Sequence, residues 1–362
     1  LEGQKNQNLN QSQQRAWRRF RRNKLAMGGL VFIFLVAFVS VLGTLIRPDK
    51  SKNANNQILS IAAKKPGFEV DVLIFNNDED QLGIFEKWWN GGSERVENAI
   101  ALAEGTHAES RLNDGLCFYE FGSSEMKCVE DTQDWVVEHR VYFLGTDKYG
   151  RDLLSRLMAG TVISLAVGAI AVLISLLVGL TLGLIAGYYR GWVDSLIMWF
   201  TNVVWAIPTL LLVMAITFAF GTGFWKVFLA VGLTMWVEVA RIARGQVLSI
   251  REKEYIEAAR ALGFRDIRII FKHILPNIWS PVIVISAANF ASAILIEAGL
   301  SFLGLGAQIP TPSWGNMIRE HYSYITTDLA YLALIPGLLI MLLVLSFMMI
   351  GNGLRDALDV KS

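Results

Sequence analysis

Glu257-Ala258-Ala259-Arg260-Ala261-Leu262-Gly263, followed by His273-Ile274-Leu275-Pro276, forms a charged island between two long apolar runs. Burial in lipid does not require such a segment. Tyr255, Ala258, Ala259 and Leu262 recur at helical spacing, with Gly263 placed as a C-terminal cap and Asp266 as an N-cap. Ile267, Ile270, Phe271 and Ile274 form a second apolar stripe, expected to stop at Pro276. The reading is two short amphipathic helices hinged at a glycine on the face of a membrane protein. Such a unit is built to be gripped.

The chain around this island is 53% hydrophobic, with a mean hydropathy of +0.40, high for a soluble protein of 362 residues. Crossing about 30 Å of hydrocarbon takes about 20 apolar residues in a helix. Six runs qualify, at roughly 25–46, 158–187, 194–220, 224–240, 278–303 and 329–352, the fourth interrupted by Glu238 and Arg241. The expected fold is therefore an all-α polytopic membrane protein with six transmembrane helices. Arg15, Arg18, Arg19, Arg21, Arg22 and Lys24 crowd the front of the first run. Arg241, Arg244, Arg251, Lys253, Arg260, Arg265, Arg268 and Lys272 fill the segment between the fourth and fifth. By the positive-inside rule both segments are cytoplasmic, which puts both termini inside and the stretch after the first span outside.

A basic run beside a membrane span reads as an orientation signal, and no nucleic-acid partner is expected. The first span is longer than a signal-peptide core and lacks a small-residue cleavage site, so it is expected to be retained. The chain opens on Leu1 rather than Met, as expected of a truncated start. The expected organisation is a basic segment over 1–24, a first span over 25–46, an insertion domain over 47–143, and a membrane core over 144–362. That core carries the charged loop at about 241–277.

The 47–143 stretch differs in composition. It is polar, punctuated by Asn76-Asn77, Gly91-Gly92 and Asn113-Asp114-Gly115, yet holds Phe68, Phe75, Phe85, Trp88, Trp89, Phe118, Tyr119, Phe121 and Trp135. Disordered segments are poor in aromatics, so a small folded mixed α/β domain is expected. Phe68–Phe75 alternates as a strand does, and Glu94–Ala103 is read as a helix. Cys117 and Cys128 are the only cysteines. Their spacing suits a disulfide in an oxidising compartment, the alternative being two unpaired thiols. His107 and His139 complete no zinc pattern, and no metal is expected.

There is no phosphate loop, zinc-protease helix or nucleophile elbow. Gly304-Leu305-Gly306 lacks the third glycine of a dinucleotide fingerprint. Glu297 is the one clear acid inside an apolar run, with Glu238 at an edge, whereas proton relays and ion pumps use several such groups. If the protein moves a solute uphill, the energy comes from outside this chain. A sensor domain on a receptor would call for a cytoplasmic effector domain, and an ion-coupled carrier for more intramembrane charge.

Glu257-Ala258-Ala259 with Gly263, then Ile274-Leu275-Pro276, resembles the "EAA" cytoplasmic loop of permeases of binding-protein-dependent ABC importers. Three further motifs resemble the second, C-type membrane subunit of dipeptide, oligopeptide and nickel importers. They are Leu144-Gly145-Thr146-Asp147-Lys148-Tyr149-Gly150-Arg151-Asp152, Leu300–Gly306 followed by Pro310–Gly315, and Gly353-Leu354-Arg355-Asp356. The insertion departs from the pattern by its length. The resemblance implies a type I importer permease in a bacterial inner membrane, with no catalytic residue and no cofactor of its own. Its implied partners are a homologous permease, one or two cytoplasmic ABC ATPases that bind ATP and Mg, an extracytoplasmic solute-binding protein, and lipid. Peptides are the implied cargo, with nickel complexes or peptide-like antibiotics as alternatives.

In that frame Glu257, Ala258, Ala259, Gly263, His273, Leu275 and Pro276 would couple to the ATPase. Gly145, Asp147, Gly150, Arg151 and Asp152 would either anchor a turn or contact a partner at the outer mouth. Glu297 is a candidate for gating or for structural hydrogen bonding. Gly304 and Gly306 would allow close helix approach, and Trp314 would sit at headgroup level.

Overall fold

The computed structural model describes residues 16–75, 98–103, 115–123, 126–130, 135–221 and 223–358. Phe85, Trp88, Trp89 and His107 lie outside them. The chain divides into two compact units. One comprises Ala37–Ile163 and Ile309–Gly337; the other comprises Leu1–Val36, Ser164–Gln308 and Leu338–Ser362. The unit with the insertion also holds the 144–152 motif and a segment from late in the chain.

In the unit that holds the insertion, β1 (Phe68–Phe75) is the predicted strand with the predicted ends. It lies between β2 (Asn98–Ala101) and β5 (Trp135–Tyr142), antiparallel to both. β3 (Gly115–Tyr119) and β4 (Met126–Glu130) form a separate hairpin. Both faces of β1 are covered. Val70 and Val72 pack with Ile58, Ile61, Ala101 and Tyr142, while Leu73 packs with Leu102 and Phe118. The helix expected over Glu94–Ala103 is corrected where it is described. Asn98–Ala101 pairs with Val72–Phe75 as a strand, because pairing with the open edge of β1 overrides the strong helical preference of its alanines. Residues 94–97 lie outside the described residues. Among the described residues the insertion holds strands and short 3-10 turns only.

The helices are α1 (Lys24–Ile46), α2 (Leu153–Tyr189), α3 (Gly191–Ala206), α4 (Thr209–Phe220), α5 (Phe224–Arg251), α6 (Glu254–Ala261), α7 (Asp266–Ile269), α8 (Leu275–Phe302), α9 (Trp314–His321) and α10 (Tyr331–Leu358), of which α6, α7 and α9 are short. Among the described residues, four helical stretches are long and apolar enough to span a membrane: α1, α2, the continuous run Asp266–Phe302, and α10. A fifth arises if α3 and α4 count as one span, but they are bent by 93°. The span expected over 194–220 is thus present as two helices broken at Ile207-Pro208. Pro208 disfavours the helical region for the residue before it, and Ile207 is accordingly extended (φ −86°, ψ 128°). The fourth expected span lies in α5, a 28-residue helix whose second half is charged.

The second unit is held by close helix approach. Gly179, Gly183 and Gly187 recur every fourth residue on α2, facing Trp236, Val239, Ala240, Ala243 and Val247 of α5. A Cβ on Gly183 would lie 2.6 Å from the Ala240 carbonyl oxygen, so only glycine lets the two backbones meet.

Candidate functional site

The 254–276 loop is built on an apolar anchor. α6 has eight residues, too few to be stable alone in water. It is held because Ile256 and Ala259 are buried in a cluster with Leu184, Tyr188, Ala243, Val247, Ile269, Ile270, Ile274 and Ile278. Gly263 sits just past its end in the left-handed region (φ 74°). Gly263 N–H donates to the Arg260 carbonyl and Phe264 N–H to the Ala259 carbonyl, the two bonds of a Schellman stop. Asp266 is the first residue of α7 and not its N-cap, which is Arg265. Its carboxylate instead accepts from the Tyr188 hydroxyl at 2.6 Å, tying the loop to the end of α2.

Pro276 does not end the second helix. Residues Ile270–Ile274 form a π-helical turn, which widens the helix where the Pro276 ring would meet the preceding turn, and α8 continues to Phe302. Leu275 opens α8. His273 lies in the π turn, stacked on Phe264 with ring centroids 6.1 Å apart, and its carbonyl accepts from Asn277 Nδ2 at 2.6 Å.

Burial reverses part of the predicted stripes. Tyr255, Ala258 and Leu262 face outward, as do Ile267 and Phe271, while Ile256, Ile269 and Ile270 face in. Leu262 is 74% exposed, Ile267 68% and Phe271 62%. Glu257 is also exposed. Arg265, Ile267, Arg268, Phe271 and Lys272 line an open groove beside them. Basic and apolar groups are thus presented together on a rigid, two-helix support. Burial holds the Tyr255 hydroxyl above its ordinary pKa.

The 144–152 motif has the opposite character. Asp147 is 0% exposed and Arg151 1%. Asp147 Oδ1 accepts from the backbone N–H of Tyr149 (2.8 Å) and Arg151 (3.0 Å), closing the turn, while Gly145 and Gly150 supply its left-handed positions. Asp147 Oδ2 accepts from Arg151 Nε at 2.6 Å, and Arg151 reaches Glu320 at 2.8 Å and Asn55 at 3.2 Å. Arg156 lies 3.7 Å from Asp147 and 3.9 Å from Glu320. Asp152 caps α2 by accepting from the Ser155 backbone N–H and hydroxyl; burial raises its pKa, against those bonds. A Cβ on Gly150 would run into the Ile58 carbonyl. This is a buried anchor, and Glu320 and Arg156 are members that local sequence spacing does not reveal.

Asp147, Glu320 and His321 place three metal-capable atoms within 4.8 Å of one another. The donor set does not suit a cation, because two guanidinium groups already neutralise the two carboxylates. Burial keeps the His321 imidazole below its ordinary pKa.

The remaining predicted residues are placed individually. Trp314 is fully buried, its Nε1 donating to the Leu157 carbonyl at 3.0 Å against Gly160, which makes it a packing residue. Gly304 (φ 83°) and Gly306, which backs on Ser301, shape the turn after α8. Glu297 is 2% exposed and accepts from Ser301 Oγ at 2.6 Å along α8. Cys117 lies directly opposite Cys128 in the β3–β4 register, and Cys117 is disulfide-bonded.

Comparison with known proteins gives two family matches. Residues 179–361 match the binding-protein-dependent transport system inner membrane component, and residues 13–66 match the N-terminal TM domain of oligopeptide transport permease C. The chain is 44% identical over 220 residues to the glutathione transport system permease protein GsiD of Pectobacterium atrosepticum, covering 61% of this chain and 73% of that protein. It is 46% identical over 220 residues to the dipeptide transport system permease protein DppC of Alkalihalophilus pseudofirmus, covering 61% and 72%. Among solved structures, an inward-facing methionine ABC transporter, MetNI, aligns at a TM-score of 0.48 and 19% identity, over 56% of this chain and 95% of that one.

Proposed function

We propose a function on the premise that this chain belongs to the family of inner membrane components of binding-protein-dependent transport systems. It is a permease subunit of an ABC importer. In our reading it pairs with a homologous permease around a translocation path and performs no covalent chemistry. An extracytoplasmic binding protein delivers the solute, and one or two ATPase subunits, which hold ATP and Mg, drive the cycle from the cytoplasm. Both termini and the 254–276 loop are cytoplasmic, and the insertion is outside. The cargo is a short peptide, the class named in the relatives that carry glutathione and dipeptides.

The observation that carries this reading is the outward face of the loop. Glu257, Leu262, Ile267 and Phe271 are exposed on helices whose other faces are locked into the helix cluster. Force applied there passes directly into α2, α5 and α8, which contribute Leu184, Ala243 and Ile278 to that cluster. A rigid handle of this kind transmits the closure of a partner; a flexible tether would not. Gly263→Asp, which puts a side chain at a left-handed position, is expected to abolish peptide uptake by the reconstituted complex while the chain remains inserted. Unchanged uptake would overturn the coupling role.

A further inference from the structure

We propose that Glu238 is the receptor for the α-ammonium group of the transported peptide, in a subsite at the break between α3 and α4. The proposal rests on the importer reading above and adds to it a place and a charge for the substrate. The break opens a cavity of about 330 Å³ in the helical unit, at the small end of the range of ligand pockets. That size fits one end of a peptide. Trp205, Pro208 and Met235 give it apolar walls, and Thr209, Thr234, Ser292 and Glu238 are its polar residues.

Glu238 is the informative member. It follows an apolar half of α5 that includes Val227, Val231 and Trp236, where an acid is costly unless it faces water or a partner. It is exposed and has no hydrogen bond or ion pair among the described residues. The two arginines that follow it on α5 contact other groups, Arg244 an acid and Arg241 a neutral amide and an aromatic ring. Arg241 donates to Asn202 Oδ1 at 2.7 Å and lies 4.1 Å over the Trp205 ring. Arg244 holds both oxygens of Asp194 at 2.6 Å. Val204, Trp205 and Ile207, at the C-terminal end of α3, line the same cavity, and that helix end carries the negative pole of its dipole. A free carboxylate and a negative helix end around one small cavity select a cationic group, and a peptide carries one at its amino terminus.

The test uses the intact importer in proteoliposomes with its binding protein and a radiolabelled dipeptide with a free amino terminus. A photo-cross-linking amino acid replaces Leu212, on the cavity wall. Label is expected on this chain during ATP-driven turnover, reduced at least five-fold by Glu238→Gln and retained with Glu238→Asp. Uptake per ATP hydrolysed should fall in parallel. Uptake without any cross-link at Leu212 overturns the subsite, as does a Gln variant that takes up and cross-links peptide like the unmodified chain. If the Gln variant does not assemble, the cross-link in the Glu238 chain decides the question by its presence or absence. Failure of the unmodified complex to import any peptide would instead remove the importer reading, and the subsite with it.

Discussion

The 144–152 turn and the 254–276 loop both stand out in the sequence as charged motifs beside apolar runs, yet they use charge in opposite ways. In the turn, Asp147 and Arg151 are buried and hydrogen-bonded to each other, Arg151 also reaches Glu320, and Arg156 is buried within 3.9 Å of both carboxylates. In the loop, Glu257 and the apolar Leu262, Ile267 and Phe271 are offered to the outside. A charged motif whose partners lie within the same unit is an anchor. One whose polar and apolar groups are both exposed on a packed support is what the proposed coupling role needs.

The largest expected effect comes from breaking the anchor. Glu320→Ala leaves two buried guanidinium groups sharing one carboxylate, and removing one partner from such a network costs about 3–5 kcal/mol. Loss of the protein from membranes, or a sharply lower melting temperature in detergent, checks this. If Glu320→Ala accumulated normally, the turn would have to be reclassified as an interface. On the inner face of the loop, Ile256→Ala removes a fully buried side chain from the helix cluster, at a cost of about 2–5 kcal/mol. The damage should be local, read as faster proteolysis between α5 and α8 with the spans intact.

On the outer face, Leu262→Asp should change stability by less than about 0.5 kcal/mol, as surface substitutions usually do. Peptide uptake should nevertheless fall at least ten-fold, and an equal loss of stability and uptake would blur the distinction between the two faces.

The smallest effect belongs to the insertion. His139 on β5 faces Asp71 of β1 at 2.8 Å, with Glu69 3.6 Å away. The bond to Asp71 raises its pKa, although the ring is open to solvent. Below the ordinary histidine pKa of about 6.5 the charged ring contributes its full stabilisation, which is lost as the pH climbs through the raised folded value. Melting temperature should therefore fall slightly as the pH rises above about 6.5, and His139→Gln should flatten that slope.

Much of this was legible in the sequence, for reasons that can be stated. β1 was found with its ends because alternation over eight residues has a single physical meaning. Gly263 was found because a helix stop needs a left-handed residue. The bend at Ile207-Pro208 was written in the sequence too, in the restriction that proline places on its predecessor, but the unbroken hydropathy of 194–220 hid it. Pro276 misled in the opposite direction, since a single π turn absorbs what is normally a helix stop. The faces of α6 could not be assigned, because Tyr255, Ala258 and Leu262 and the opposing Ile256 and Ala259 are all apolar enough to bury. The Arg151–Glu320 pair joins residues 169 apart, and a single sequence holds no signal for it.

The most direct test of the permease reading is ATP-driven accumulation of a labelled dipeptide in proteoliposomes holding the intact complex, compared between the unmodified chain and Gly263→Asp. Accumulation that requires both ATP and binding protein, and that disappears in the variant while all subunits still co-purify, is the expected result. Accumulation driven by an ion gradient without ATP, or equal accumulation with the variant, would contradict it.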